Sequence, residues 1–180
     1  GDNNTGSIVE LPDGRLMILC LKCISIYDGK KFTNYTSKDG LSLPGQWAST
    51  AFDKNGRLWI ALWNADETRQ LLYFENNRFH DITPSNPFLN AAESLLLSVV
   101  NNADGDIIVN TLRNMYIVND TVLNEYNPGV PAEVAENWLN LFYETADHTK
   151  YFLSYNASIQ KLSVFTVRNG VITYLDMPAE

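Results

Sequence analysis

The sequence predicts an all-β chain of four four-stranded antiparallel sheets. Three observations carry this. Two kinds of tight-turn signal alternate along the chain, an apolar triplet follows each turn of the first kind, and the pattern recurs four times at about 45 residues. Four short strands repeated at that period is the pattern of β-propeller blades, either a partial propeller or a four-bladed one.

The first turn signal is Asp13-Gly14, then Lys54-Asn55-Gly56, then Asp104-Gly105, then a degenerate Asp147-His148-Thr149. The second is Asp28-Gly29, Asn76-Asn77, Asn119-Asp120 and Asn169-Gly170. Asn, Asp and Gly supply the positive φ that tight hairpin turns demand. The triplets are Leu16-Met17-Ile18, Leu58-Trp59-Ile60, Ile107-Ile108-Val109 and Tyr151-Phe152-Leu153, so Leu16, Trp59, Ile108 and Phe152 should all lie on second strands. Alternation of period two in Lys31-Phe32-Thr33-Asn34-Tyr35 and Arg78-Phe79-His80-Asp81-Ile82 marks half-buried strands. The expected blades run over 7–36, 47–83, 94–127 and 138–177 of one domain. Units two and four carry about six more residues between their middle strands than units one and three. The inserted residues, Ala65 to Gln70 and Ala157 to Lys161, share little, so the alternation reads as coincidence. Good helix formers over 90–97 and 131–138 predict short helical turns, the second opened by Pro131.

Composition narrows the partners. The chain is 45% apolar and 19% charged, that of an ordinary folded domain. A net charge of −8 with scattered lysines excludes the basic stripe that nucleic acid needs, and disfavours an anionic membrane surface. No apolar run approaches the roughly 20 residues of a membrane span, so no direct insertion is expected. Gly1 and the polar Asp2-Asn3-Asn4-Thr5-Gly6 read as a cloning scar plus lead-in, so the lack of a leader says nothing about compartment.

The segment Ala51-Phe52-Asp53-Lys54-Asn55-Gly56-Arg57-Leu58-Trp59-Ile60 resembles the two-component-regulator propeller repeat, whose core reads Asp-x-x-Gly-x-Leu-Trp-Ile. Unit one resembles it too, from Leu11-Pro12-Asp13-Gly14-Arg15-Leu16-Met17-Ile18 to Ile26-Tyr27-Asp28-Gly29-Lys30-Lys31-Phe32. Units three and four keep the outline; Ala61-Leu62 and Leu19-Cys20 replace the Gly-Thr that often follows in the family. The resemblance implies the periplasmic sensing region of a hybrid histidine kinase of a Bacteroidetes-like, carbohydrate-responsive type. Kinase, receiver and DNA-binding segments are absent from these 180 residues.

Catalytic motifs fare poorly. Sialidase-type Asp boxes also occupy propeller turns, but Asp53, Gly56 and Trp59 are spaced differently and Ala51 stands where a serine is required. Carboxylates such as Asp66 and Glu67 could in principle form the acid/base pair of a glycan-active enzyme, but exposed loop charges are far commoner. We therefore expect no enzyme activity from this chain and no cofactor. Cys20-Leu21-Lys22-Cys23 lacks the further ligands of a zinc site and straddles a hairpin rather than opening a helix. Two partly buried thiols fit better there than a strained local disulfide. The Asn-x-Ser/Thr sequons at Asn3, Asn34, Asn119 and Asn156 are what an asparagine-rich chain gives by chance.

In an up-and-down blade the first and third connections share one face, and the second and inter-blade connections share the other. The tight turns thus fall on one face, and the loops 37–47, 63–69, 83–93, 127–138 and 155–160 on the opposite one. That loop face collects Trp47, Trp63, Asn64, Asp66, Arg69, Arg113, Asn137, Trp138, Tyr155 and Asn156. Aromatic plates beside amides and charges suit the apolar faces and hydroxyl rims of an oligosaccharide. The competing expectation is that Trp47 and Trp138 pack under loops, in a purely structural or protein-binding propeller. The units are in phase, with no strand left over to complete a blade from the other terminus. The sequence therefore predicts an open arc whose terminal blades associate with each other or with further blades.

Overall fold

In a computed structural model, the chain is described over residues 5–42, 45–64, 67–91, 95–131, 134, 138–156 and 158–175, with backbone alone at 5 and 45–48. The first sheet holds β1 (Thr5–Glu10), β2 (Leu16–Cys20), β3 (Ile24–Tyr27) and β4 (Phe32–Tyr35). The second holds β5 (Gly45–Phe52), β6 (Leu58–Asn64), β7 (Arg69–Glu75) and β8 (Arg78–Asp81). The third holds β9 (Leu96–Asn101), β10 (Ile107–Thr111), β11 (Met115–Asn119) and β12 (Val122–Glu125). The fourth holds β13 (Trp138–Glu144), β14 (Lys150–Asn156), β15 (Lys161–Arg168) and β16 (Val171–Leu175). Each sheet runs in chain order with antiparallel neighbours, as the turn pattern required. Leu16, Trp59, Ile108 and Phe152 all lie on second strands. The extra residues of units two and four lengthen the middle hairpins, β6–β7 and β14–β15.

The turns explain the sheets. Asn76 and Asn77 both take positive φ, as do Asn169 and Gly170, the geometry of a two-residue hairpin loop whose twist matches its strands. At the first turns an amide bonds the carbonyl four residues on: Leu11 to Arg15, Asp53 to Arg57, Asn102 to Asp106 and Thr145 to Thr149. The left-handed position is Gly14, Gly56 and Gly105, and in unit four it is His148, with φ 60°. This corrects the alignment of the fourth triplet by one residue. Tyr151, not Phe152, is the counterpart of Trp59, and Lys150 takes the place of Leu58 and Ile107. Because side chains alternate between faces, the slip exchanges inside for outside. Phe152 packs back against the third blade, whereas Trp59 packs forward against it.

The first of the expected helical turns falls earlier, and of the second Val134 is helical, its amide donating to Pro131 O. A 3-10 helix occupies Pro87–Asn90, and β9 has begun by Leu96. Residues 92–94, 132–133 and 135–137 lie outside the described residues, and Trp138 opens β13.

The core sits between blades, not within them. Met17, Leu19 and Ile24 of the first blade meet Leu58, Ile60, Leu72 and Phe74 of the second. Trp59, Ala61 and Leu71 meet Val99, Ile107 and Val109. Ile108 and Met115 meet Leu141, Phe152, Phe165 and Val167. Among the described residues, no such cluster joins the fourth blade to the first.

Candidate functional site

The tight-turn face is a structural clasp. Asp53 accepts from the Trp59 indole at 3.0 Å, from Arg57 Nε at 2.6 Å, and from the amides of Asn55 and Arg57 at 2.9 and 3.0 Å. Burial alone would raise its pKa, but these donors outweigh that and hold the carboxyl below its ordinary value. The Arg57 guanidinium lies 5.5 Å from the Trp59 ring and 5.2 Å from the Tyr73 ring. The neighbouring turn docks on this one: the Lys54 amide donates to Gly105 O at 2.7 Å, and Lys54 Nζ pairs with Asp106 at 2.8 Å. The residues of the Asp-x-x-Gly-x-Leu-Trp-Ile core are thus those that tie a turn to its own strand and to the next blade.

At the opposite end of the same sheet lie four of the sequence-predicted site residues. Trp63 and Arg69 are cross-strand partners on β6 and β7 and share the face toward the third blade; the Trp47 backbone pairs with Trp63 along β5, and its side chain lies outside the described residues. The Arg69 guanidinium carbon sits 4.3 Å from the centre of the Trp63 ring. Its NH1 donates to the carbonyls of Glu67 and Thr68, at 2.6 and 3.3 Å. Asn90 grips the Arg69 backbone from both sides, accepting from N at 2.6 Å and donating to O at 3.0 Å. Asn64, on the other side of the hairpin end, donates to Thr68 Oγ1 at 2.9 Å.

Among the described residues, three buried atoms at this hairpin end have no hydrogen-bond partner: Trp63 Nε1, Asn64 Oδ1 and Arg69 Nε. Each such atom costs about 1–3 kcal/mol relative to a paired one. The neighbouring Gln70 shows that the site can pair an amide fully. It accepts from the Ser42 amide and donates to Gly40 O and Asp81, at 2.9, 2.9 and 2.6 Å. A fourth orphan, Glu144 Oε2, lies elsewhere, near His148 at the turn end of the fourth blade.

The remaining predicted residues do not join this group. Arg113 is exposed in the β10–β11 turn and borders a groove of about 210 Å³ with Met115, Tyr126, Pro128, Val130 and Leu139. Trp138 and Tyr155 pair on the outer side of the fourth blade, ring centres 5.6 Å apart, and Asn156 Oδ1 caps the Ser158 and Ile159 amides. Asp66 and Asn137 lie outside the described residues. Cys20 and Cys23 carry thiols, both half-buried, with Cys23 Sγ 3.5 Å from Ser25 Oγ. No cluster of His, Cys, Asp or Glu among the described residues is placed to hold a metal ion, and no helix among them is long and apolar enough to cross a membrane.

Two features escaped the sequence reading. Asn90 acts 21 residues from Arg69, and nothing in the local pattern signals it. Asn110, 0% exposed, bonds both Leu141 N and O from the next blade; an amide ending the apolar run Ile107-Ile108-Val109 was a legible sign of such a role.

No family model matches the sequence, and no curated protein matches it. Among the solved chains similar in structure are two of the extracellular domain of BT4673 from B. thetaiotaomicron, described once as part of a putative hybrid two component system and once of a putative one component system. The first overlays at TM-score 0.44 and 10% identity, over 98% of this chain and 33% of that one. The second overlays at TM-score 0.49 and 13% identity, over 95% of this chain and 28% of that one. This chain therefore spans a third or less of those solved chains.

Proposed function

We propose that the chain is a non-catalytic, ligand-sensing propeller segment of an extracytoplasmic two-component sensor, and that it reads an oligosaccharide at the loop end of the second blade. The resemblance of units one and two to the two-component-regulator repeat supports the sensor part, and with it a periplasmic setting. The observation that carries the binding part is the set of atoms at Trp63, Asn64 and Arg69 that find no partner among the described residues, beside an indole plate. A sugar hydroxyl both donates and accepts, and a pyranose face stacks on indole, so one ligand class matches both features. Trp63 and Arg69 share one face and Asn64 the other, so the first two form the contact and Asn64 shapes the hairpin end.

A glycan array of neutral and acidic oligosaccharides, followed by calorimetry on any hit, tests this. Trp63→Ala and Arg69→Ala should each weaken binding at least about tenfold, whereas Lys30→Ala on the tight-turn face should leave it unchanged. Equal losses from both faces would count against the site. The second reading, a protein-binding propeller, is favoured by a different observation: the fourth blade exposes Trp138, Phe142, Tyr143, Leu153, Leu162 and Leu175.

A further inference from the structure

We infer that the oligosaccharide read at the loop end of the second blade is an acidic one. Its anionic group, a uronate carboxylate or a sulfate ester, docks on the Arg69 guanidinium beside the indole N–H of Trp63. This rests on the sugar-binding reading above and narrows it to a ligand class.

Arg69 stands apart from the other arginines in its setting. The chain carries 13 Lys and Arg against 21 Asp and Glu, so acids are plentiful for any cation drawn toward the core. Arg15, Arg57 and Arg69 are half-buried, and the first two have such an acid. Arg15 Nη2 lies 2.7 Å from Asp13, and Arg57 Nε 2.6 Å from Asp53. Arg69 pairs with no carboxylate among the described residues. Its Nη1 donates instead to the carbonyls of Glu67 and Thr68. Glu67 takes φ 67°, in the left-handed region, and it is its carbonyl, not its carboxylate, that meets Arg69. A guanidinium drawn out of water with no anion beside it is costly, and a ligand anion offsets that cost.

The edge of the guanidinium left over has the right shape. With Nη1 engaged, Nε and Nη2 remain, and neither makes a hydrogen bond among the described residues. Those two N–H groups form the planar fork that takes two oxygens of one anion side-on. The fork is held in place. Asn90 bonds the Arg69 backbone at both N and O, and the Trp63 ring lies 4.3 Å from the guanidinium carbon. Holding a binding group in its bound geometry beforehand lowers the cost of association.

The kind of atom left unanswered agrees. On the face that Trp63 and Arg69 share, both orphans are donors, Trp63 Nε1 and Arg69 Nε, whereas the orphan acceptor, Asn64 Oδ1, belongs to the other face. A hydroxyl brings a hydrogen of its own that must be placed. An ionised carboxylate or a sulfate only accepts, as two unanswered donors require. The net charge of −8 is no obstacle, because exposed charges are screened beyond about 8 Å at physiological salt and the contact itself decides.

Calorimetry on the whole chain with matched probes tests this: uronic-acid trisaccharides, the same trisaccharides carboxyl-reduced to neutral sugars, and sulfated trisaccharides. An acidic probe should bind about tenfold or more tighter than its neutral counterpart, and the gap should narrow as salt rises. Arg69→Met should close the gap, and Arg69→Lys, which keeps the charge without the fork, should restore only part of it. Trp63→Phe, which keeps a ring and removes the N–H, should narrow it. A sulfated probe that binds where the uronates do not keeps the proposal and assigns the anion. A neutral probe that binds as tightly as its acidic counterpart, and is weakened by Trp63→Ala, overturns the proposal while leaving the sugar site. Binding of no probe, acidic or neutral, overturns the sugar reading and the proposal with it. A second measurement needs no ligand. Asp66, Glu67 and Glu93 are the carboxylates of the flanking loops, the first and last outside the described residues. Asp66→Asn, Glu67→Gln and Glu93→Gln should each leave the urea midpoint unchanged. A fall in any of them that Arg69→Met cancels would show that the chain supplies its own anion, and overturns the proposal.

Discussion

The two ends of the second blade use the same pair of residue types to opposite effect. At the tight-turn end, Arg57 lies over Trp59, and Asp53 takes a hydrogen bond from each. At the loop end, Arg69 lies closer over Trp63, yet among the described residues no carboxylate answers either side chain, and the indole N–H and guanidinium Nε have no partner there. A folded chain tolerates buried polar atoms without partners where something other than stability holds them there. The comparison therefore separates a clasp that stabilises the blade from a hairpin end held ready for a partner.

The largest effect belongs to the clasp. Trp59→Ala should lower unfolding free energy in urea by about 3–5 kcal/mol, through lost burial and the cavity left between blades two and three. Asp53→Asn keeps the volume but loses the charge that Arg57 and the turn amides answer, and should cost about 1–3 kcal/mol. The Asp53 carboxyl is held below its ordinary value when folded, so its contribution is complete above about pH 4 and is lost as pH falls through the folded value. Asp147 adds to the same window. Hydrogen bonds from Thr145 and Thr149 lower it from 3.8 to about 2, so its share disappears between those values. Acid titration of stability should show a shallower fall for Asp53→Asn than for the wild type.

A smaller effect sharpens the comparison between covered and uncovered turns. Gly105→Ala and Gly14→Ala share the strain of positive φ, about 1 kcal/mol, but only the first drives a Cβ into the Lys54 turn. The difference between their urea midpoints, at matched slope, measures the inter-blade contact alone. A null difference would break the picture of docked turns. Smallest of all should be Arg69→Met, which keeps packing over Trp63 and gives up only the exposed bonds from NH1 to the Glu67 and Thr68 carbonyls. Its stability should stay within about 1 kcal/mol of wild type. A loss as large as that of Trp59→Ala would make the loop end structural after all.

Much of the architecture was legible because turn chemistry is local. Asn76-Asn77 and Asn169-Gly170 announce positive φ, and a triplet of branched or aromatic residues following each first turn fixes the second strand. The fourth unit misled because His148 takes the left-handed position of a glycine, and Lys150 stands where the other blades carry leucine or isoleucine. Lys150 remains tolerable there because its ammonium reaches Pro128 O at 3.3 Å and the Tyr126 ring at 5.2 Å. The site was half legible. Trp63 and Arg69 meet because hairpin register places them opposite one another. Trp138 and Tyr155 satisfy the same pattern but belong to a different blade, and no sequence spacing reports which blades bring their loops together.

The indole N–H signals in a nitrogen–proton NMR spectrum test the central contrast directly, once assigned through single Trp→Phe variants. On titration with an oligosaccharide found by the glycan array, the Trp63 signal should shift and gain protection from hydrogen exchange, while the Trp59 signal, bonded to Asp53, stays in place. Movement of Trp59 with Trp63 fixed, or no response of Trp63 to a glycan that binds, would contradict the account.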